Sequence, residues 1–274
     1  MKSRINKYLI YSCVSVFLLS CEKAIIVPSD VIVGQDIALS HKINNIIQDV
    51  VNQTIQAQNI TTLKTSEGSL ISAASIKVDT VNSQDIQYQI VFDGTPIGLN
   101  NTVLTGTIYI AANGKKHNEN GLLAYVTSNQ LVINGININN DMNIVVTNVA
   151  ALGSVQESWS FTQDYTMTFN DGSFIDIAGN GKRYQTDGFN TSAFADDSYK
   201  SEMQISGSAS NAVSFTASSS SPIIRLAGCK YFTGGTINWV ANGNAKFIDF
   251  GNGSACDAIA IVTVNGKEIK ATLQ

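Results

Sequence analysis

The sequence predicts a mainly β protein: an antiparallel meander, either an open sheet or a sandwich, with one amphipathic helix near its N-terminus. Three observations lead there. From Thr61 onward, short runs rich in Val, Ile, Thr, Tyr and Phe alternate with Gly, Asn, Asp and Ser, the texture of strands and turns. Asn170-Asp171-Gly172, Ala241-Asn242-Gly243 and Asn265-Gly266 mark tight hairpins, because Asn-Gly and Asp-Gly tolerate the positive φ that such turns need. A single convincing stretch, Asp36–Gln58, repeats apolar residues at helical spacing. No helices alternate with the strands, which argues against a parallel α/β sheet.

The N-terminus comes first in the chain. Lys2, Arg4 and Lys7 precede the uncharged, mostly apolar run Tyr8–Leu19, and Ser20 then leads into Cys21. This is the layout of a bacterial lipoprotein signal peptide: residues 1–20 are removed and Cys21 is acylated as the first mature residue. The alternatives are an ordinary secretory signal or an uncleaved anchor. The run is shorter than the roughly 20 residues a membrane-spanning helix needs. Residues 21–35 read as the lipidated cysteine and a tether, interrupted by Pro28, Ser29 and Gly34. Residues 36–274 read as the all-β domain with its helix, as one unit or as two similar halves of about 61–150 and 151–274.

In the expected helix, Leu39, Ile43, Ile46, Ile47, Val50 and Ile55 form the apolar stripe, and Lys42, Asn44, Gln48 and Asn52 lie between them. Asp36 is the expected N-cap, and one face is expected to lie on the sheet. A membrane-surface helix would carry a Lys/Arg-rich polar face, which is not seen here. The expected strands are Ile86–Phe92, Val103–Ala111, Leu122–Val132, Asn143–Val149, Ser158–Thr162, Tyr165–Phe169, Ser173–Ala178 and Lys200–Ser206. They continue with Val213–Ala217, Ile223–Ala227, Thr236–Val240, Lys246–Phe250, Ala258–Val264 and Glu268–Leu273.

Charge narrows the partners. The chain carries a formal −4, and losing residues 1–20 removes Lys2, Arg4 and Lys7 but no acid, giving −7. Nucleic acid, which needs a basic surface, is disfavoured. The membrane, reached through the lipid, is the expected partner, and an envelope protein or polysaccharide stays open. Cys13 leaves with the signal and Cys21 takes lipid, so Cys229 and Cys256 remain. In an oxidising envelope compartment they read as a disulfide, with two buried thiols as the alternative. Zinc is not expected, because no histidine or further cysteine lies near them.

Two segments echo each other. Gln89–Gly94 is followed by Leu104–Ile110, and Lys246–Gly253 is followed by Cys256-Asp257 and Ala260–Lys267. Ile248-Asp249-Phe250-Gly251-Asn252-Gly253, then Cys256-Asp257 and Val264-Asn265-Gly266-Lys267, resembles the C-terminal pattern of a group of envelope lipoproteins of Bacteroidota-type bacteria, with one extra residue before Cys256. Cys229–Gly235, Val132–Gly135, Asp196-Asp197-x-Tyr199 and Ile205–Gly207 also match. The resemblance covers roughly residues 85–274. The first copy, Val91-Phe92-Asp93-Gly94, departs from it in lacking the Asp before Phe and the cysteine. The group has no settled activity, so the resemblance implies an all-β lipoprotein, with the outer membrane as its site. Glu22 and Lys23 follow Cys21, without the Asp that retains lipoproteins at the inner membrane. Which face of the outer membrane it occupies is left open.

For chemistry, His41 is expected at a helix start and His117 in a solvated turn. Neither is paired with a nucleophile, and no Gly-x-Ser-x-Gly or His-Glu-x-x-His occurs. Asp249, Asn252 and Asp257 are the weak candidates for a metal, their other reading being a glycine turn that bonds its own backbone. Glu157 with Asp164 is the carboxylate pair to watch for sugar hydrolysis. Trp159 and Trp239 are the weak candidates for stacking on a sugar, their other reading being core packing. No cofactor is implied. The expectation is a non-catalytic, lipid-anchored binding or structural module, not an enzyme. The alternatives are a carbohydrate-binding or glycoside-hydrolysing accessory protein, or a lipid carrier with an apolar cavity.

Overall fold

The computed structural model describes residues 28–59, 68–82, 85–115, 119–147, 157–188, 191, 193–253 and 255–273. Helix α1 (Ser29–Asn59) precedes β1 (Ser75–Asn82), β2 (Asp85–Ile97), β3 (Thr102–Ala112), β4 (Leu122–Ile133), β5 (Ile136–Thr147), β6 (Glu157–Thr168) and β7 (Phe174–Asp187). Then follow β8 (Ser198–Ser208), β9 (Ser214–Leu226), β10 (Gly234–Ala241), β11 (Asn244–Asn252), β12 (Ile259–Val264) and β13 (Lys267–Thr272). All thirteen strands form one open antiparallel sheet whose spatial order is the chain order. The strands on either side of the expected division are neighbours: β5 pairs with β6 from Asn137↔Thr168 to Thr147↔Ser158. The proposed halves therefore share one sheet and one core.

Local chemistry explains the turns. Asn242 and Gly243 have φ of 54° and 77°, and Asn265 and Gly266 of 51° and 74°, the positive pair that a two-residue hairpin requires. Five strand expectations needed revision, one of them β7, which runs on to Asp187 past the expected end at Ala178. β1 was not anticipated. β5 is longer than Asn143–Val149 because Asn137, Asn139, Asn140 and Asp141 read as turn residues, yet Ile138, Met142 and Ile144 alternate inward and are buried. β6 and β9 each join two expected strands. Pro222 is accommodated in β9 beside a break in register, where Ser221 pairs with Thr236 but Ile224 pairs with Gly234.

The two echoing segments are both bulged. Register slips between Asp93 and Pro96 in β2, and between Gly234 and Thr236 in β10 opposite β11. Such bulges bend a strand and raise its twist. Gly106 (φ 92°) and Gly235 (φ 97°) sit where neighbouring strands crowd the bend. A Cβ would lie 2.1 Å from the Gln130 carbonyl oxygen in the first and 2.3 Å from that of Pro222 in the second.

The helix departs most from expectation. It begins at Ser29, directly after Pro28, so residues 29–35 belong to it and not to a tether. Asp36 is no N-cap; its carboxylate accepts the Ser210 N–H and hydroxyl, both at 2.7 Å. Gly34 is a point of close approach: a Cβ there would meet the Trp239 ring at 3.1 Å. Instead of laying one face on the sheet, α1 is buried all round. Val33, Ile37, Ile43, Ile47 and Val50 are enclosed, and so are Ser40, His41, Asn44, Gln48, Asp49 and Thr54. The sheet curls about the helix, and strands from β6 to β13 reach it. Gln35 Nε2 donates to the Thr272 carbonyl at 2.7 Å, and Lys246 Nζ pairs with Asp30 at 3.1 Å.

Candidate functional site

A polar cluster forms where α1 meets β7, β8 and β9. Asp49 takes Arg183 on one carboxylate oxygen and Arg225 on the other. Arg183 stacks 3.7 Å from the Tyr199 ring centroid. The Tyr199 hydroxyl donates to Asp197 at 2.9 Å, and Gln185 Nε2 donates to the other Asp197 oxygen at 3.1 Å. Burial pushes the Asp49 carboxyl up, but the two guanidiniums outweigh it and hold it below the usual carboxylate range. Burial, chiefly, raises the Tyr199 phenol well above its ordinary value. One hydrogen-bonding atom is left over: Arg225 Nη1 is buried without a partner.

About two turns toward the N-terminus of α1, His41 Nε2 and Ser201 Oγ share a hydrogen bond of 2.7 Å. His41 was expected at a helix start. It is instead 1% exposed in mid-helix, with its ring 5.0 Å from that of Phe232. Burial first, then Arg183 and Arg225, push its pKa down to about 3. A working base has a pKa near the operating pH and an orienting partner on its second nitrogen. His41 has neither, since Nδ1 is unpartnered, and Ser201 is sealed beside it. This is a structural pair.

A polar seam continues along the helix. Ser40 meets the Tyr165 hydroxyl through its carbonyl at 2.6 Å, and Asn52 lies with Trp159, Arg183 and Tyr199 around a small void. Twelve helical residues rise ~18 Å and six strand residues ~20 Å, so α1 runs alongside β6. Asn44, Gln48 and Asn52 share a stripe at i, i+4, i+8. Each keeps a buried oxygen without a hydrogen-bond partner, and so does Gln163 of β6.

Beside the charged cluster a narrow pocket opens, with about 60 Å³ accessible to the centre of a water molecule. Its inner end is Asp49, Arg225, Asp197 and Tyr199, and its walls include Ile46, Leu70, Phe194 and Phe232. Leu99, Asn134 and Lys230 are exposed at its mouth. Lys42 of α1 also lines it, 5.0 Å from the Tyr231 ring centroid, and Lys230 stands 5.5 Å from the same ring. Burial, then the nearby Lys230, lower the Lys42 pKa to about 8.

The disulfide supports this pocket. Cys229 and Cys256 are bridged, with Cα atoms 5.3 Å apart. The bridge ties the β9–β10 connection, whose Cys229–Phe232 segment forms one wall, to the β11–β12 connection. The sequence had marked this segment through its Cys-x-Tyr-aromatic run. It had not marked Lys42, Arg225 or the pocket.

The other expected residues do other work. Trp159 (4% exposed) and Trp239 (1%) are core residues, so neither indole offers a face to a sugar. The burial of Trp239 against Gly34 follows from packing the helix N-terminus onto β10. Glu157 and Asp164 lie seven residues apart on β6, which puts their backbones ~23 Å apart along the strand; the Glu157 side chain lies outside what the structure describes. Asp249 accepts the Gly251 N–H at 2.7 Å and Asp257 accepts the Ile259 N–H at 2.9 Å. These are turns bonding their own backbone; Asn252 stands at the end of β11 beside them. Cys21 and His117 lie outside the described residues. Comparison with family models, curated proteins and solved structures finds none that matches the chain.

Proposed function

We propose that this chain is a lipid-anchored protein of the cell envelope, at the outer membrane, whose body binds without catalysing. The observation that carries the reading is the N-terminal run: three basic residues, an uncharged apolar stretch, then Ser20-Cys21. The Cys229–Cys256 bridge supports it, because lasting disulfides belong to oxidising compartments. The resemblance of Ile248–Lys267 to envelope lipoproteins points the same way. The non-catalytic reading is supported by where the polar side chains go: Asp49, Arg183, His41 and Ser201 hold α1 to the sheet. A carrier with an empty half-barrel is not favoured, because α1 fills the inside of the sheet.

The test is radiolabelled palmitate and membrane fractionation. The wild-type chain is expected to take up label and sediment with membranes. The Cys21→Ala chain is expected to do neither. Label-free wild-type protein, or a variant that stays membrane-bound, overturns the anchor.

A further inference from the structure

We propose that the outer face of the sheet binds an uncharged polysaccharide in extended form, along the row Thr162, Asn180, Gln204, Ser218, Asn238 and Phe247. The inference rests on the binding-module reading and names its partner.

Register is the first argument. The six residues stand opposite one another on successive strands: Thr162↔Asn180, Asn180↔Gln204, Gln204↔Ser218, Ser218↔Asn238 and Asn238↔Phe247. Their neighbours along the strands, such as Phe161, Ile205, Ala217 and Trp239, are buried inward, so the row faces outward. Strands lie ~4.8 Å apart, close to the length of one sugar unit in an extended chain. Successive units therefore meet successive strands, over a row ~24 Å long.

Chemistry is the second. No side chain of the row is charged. The next row on one side is Ala178, Ser206, Thr216 and Val240, again uncharged; on the other side Lys182 stands opposite Glu202. A face that only has to stay wet usually mixes charges of both signs. Amides and hydroxyls both donate and accept, which suits the hydroxyls of a neutral sugar. A nucleic acid needs a basic surface, an apolar partner needs an apolar patch, and an added peptide strand needs a sheet edge. Ser220 Oγ donates to Asn238 Oδ1 at 3.2 Å and shares a 2.7 Å hydrogen bond with Thr236 Oγ1, so the Asn238 amide is held before a ligand arrives. Phe247, 38% exposed, ends the row with an aromatic surface on which the C–H face of a sugar ring packs.

Shape is the third. Asn180, Gln204, Ser218, Asn238 and Phe247 line a trough of about 660 Å³. A second hollow of about 520 Å³ adjoins it, lined by Thr162 and sharing Asn180, Gln204 and Ser218. Gly179 and Gly181 flank Asn180 and explain the dip. A Cβ would lie 2.2 Å from the Gln204 carbonyl oxygen in the first and 2.4 Å from that of Glu202 in the second. Glycine inside a strand marks such close approach, and β7 is among the strands that come nearest to α1.

The experiment is calorimetric titration of the full chain, held in a detergent without a sugar head group. The probes are cellohexaose, mannohexaose and xylohexaose, the disaccharide of each, and hexagalacturonate as the charged control. Saturable binding of at least one neutral hexasaccharide is expected, with its disaccharide at least tenfold weaker and hexagalacturonate silent. Gln204→Ala, at an exposed position in mid-row, is expected to weaken binding several-fold, and so is Phe247→Ala. Combining Asn180→Ala, Gln204→Ala and Asn238→Ala is expected to carry the loss beyond tenfold. Melting curves identify any variant that fails to fold, and Gln204→Ala then decides alone. No saturable binding of any neutral hexasaccharide, equal affinity for its disaccharide, or an unchanged affinity in Gln204→Ala overturns the proposal. Those results leave Cys21→Ala and palmitate labelling untouched, so failure of the row and failure of the anchor are separately visible.

Discussion

The two sides of the sheet hold the same helix by different physics. The inward residues of β2 to β5 are an apolar wall: Ile90, Phe92, Ile108, Ile110, Val126 and Ile144 are all buried in one core with α1. Among the described residues, Thr102 and Asn140 are the polar ones buried there. From β6 to β13, tyrosine, arginine, serine, lysine and a backbone carbonyl reach into α1 at Ser40, Asp49, His41, Asp30 and Gln35. Apolar burial is strong but non-directional. A smooth wall lets a helix rotate or slide by a turn at little cost. The polar side removes that freedom, because only one rotation puts Asp49 between two arginines. The difference suggests a division of labour: the wall supplies the driving force, and β6–β13 fix the register.

The largest effect expected from breaking this division is at Asp49. Asp49→Asn leaves two guanidiniums without their shared charge, and removing one partner of a buried ion pair costs about 4 kcal/mol. Urea unfolding measures it. Replacing the whole trio with Asp49→Leu, Arg183→Met and Arg225→Met sharpens the comparison. Well-packed apolar replacements of buried ion groups are often neutral or stabilising, so the triple variant is expected to be more stable than Asp49→Asn. If register is what the trio sets, amide signals of α1 in the triple variant broaden or double. A single sharp set of signals removes the register argument.

The wall is expected to respond by volume alone. Ile108 is fully buried in β3. Ile108→Ala is expected to cost about 3 kcal/mol through lost burial and a residual cavity, and Ile108→Val about 1 kcal/mol. Both are read from the urea midpoint, with helix signals kept single in each case. A doubled helix signal in Ile108→Val would mean that the wall also selects register.

The contrast also explains what could be read in the sequence. Hairpins such as Asn265-Gly266 were legible because their conformation is set within two residues. The strand texture was legible because alternation is local. The start of α1 was not, since Pro28-Ser29 and Gly34 look like a tether until Trp239 packs on Gly34 from 205 residues away. The apolar stripe of α1 was visible, but its burial on all sides was not. Asn44, Gln48 and Asp49 look solvated until strands close over them. Asp49 and Arg183 are 134 residues apart, and no spacing rule links them. The pocket was hidden for the same reason: Lys42, Leu99, Phe194 and Lys230 meet through the meander's curvature. The cysteines were the exception, because two leftover thiols in one compartment have few choices.

The remaining effect is expected at His41, and it separates the two sides by pH. The folded imidazole has a pKa of about 3 because burial and the two arginines oppose a further charge; in the unfolded chain it returns to 6.5. Between these values the unfolded chain binds a proton that the folded chain refuses. Stability is therefore complete above pH 6.5 and falls as the pH drops toward 3. From pH 7 to pH 5 the loss from this site is about 2 kcal/mol. Asp49, held below 3.8, loses its contribution only at lower pH. Asp36, raised by burial, acts in the opposite sense as the pH falls toward its folded value, which is why the comparison is made against a variant. His41→Gln keeps a polar group opposite Ser201 and removes the titration. Its urea midpoint is expected to be lower than wild type at pH 7 but nearly level from pH 7 to 5, while that of the wild type declines. Ile108→Val, on the wall, is expected to parallel the wild type throughout. A His41→Gln curve with the wild-type slope would place the acid sensitivity elsewhere and separate it from the polar side of the sheet.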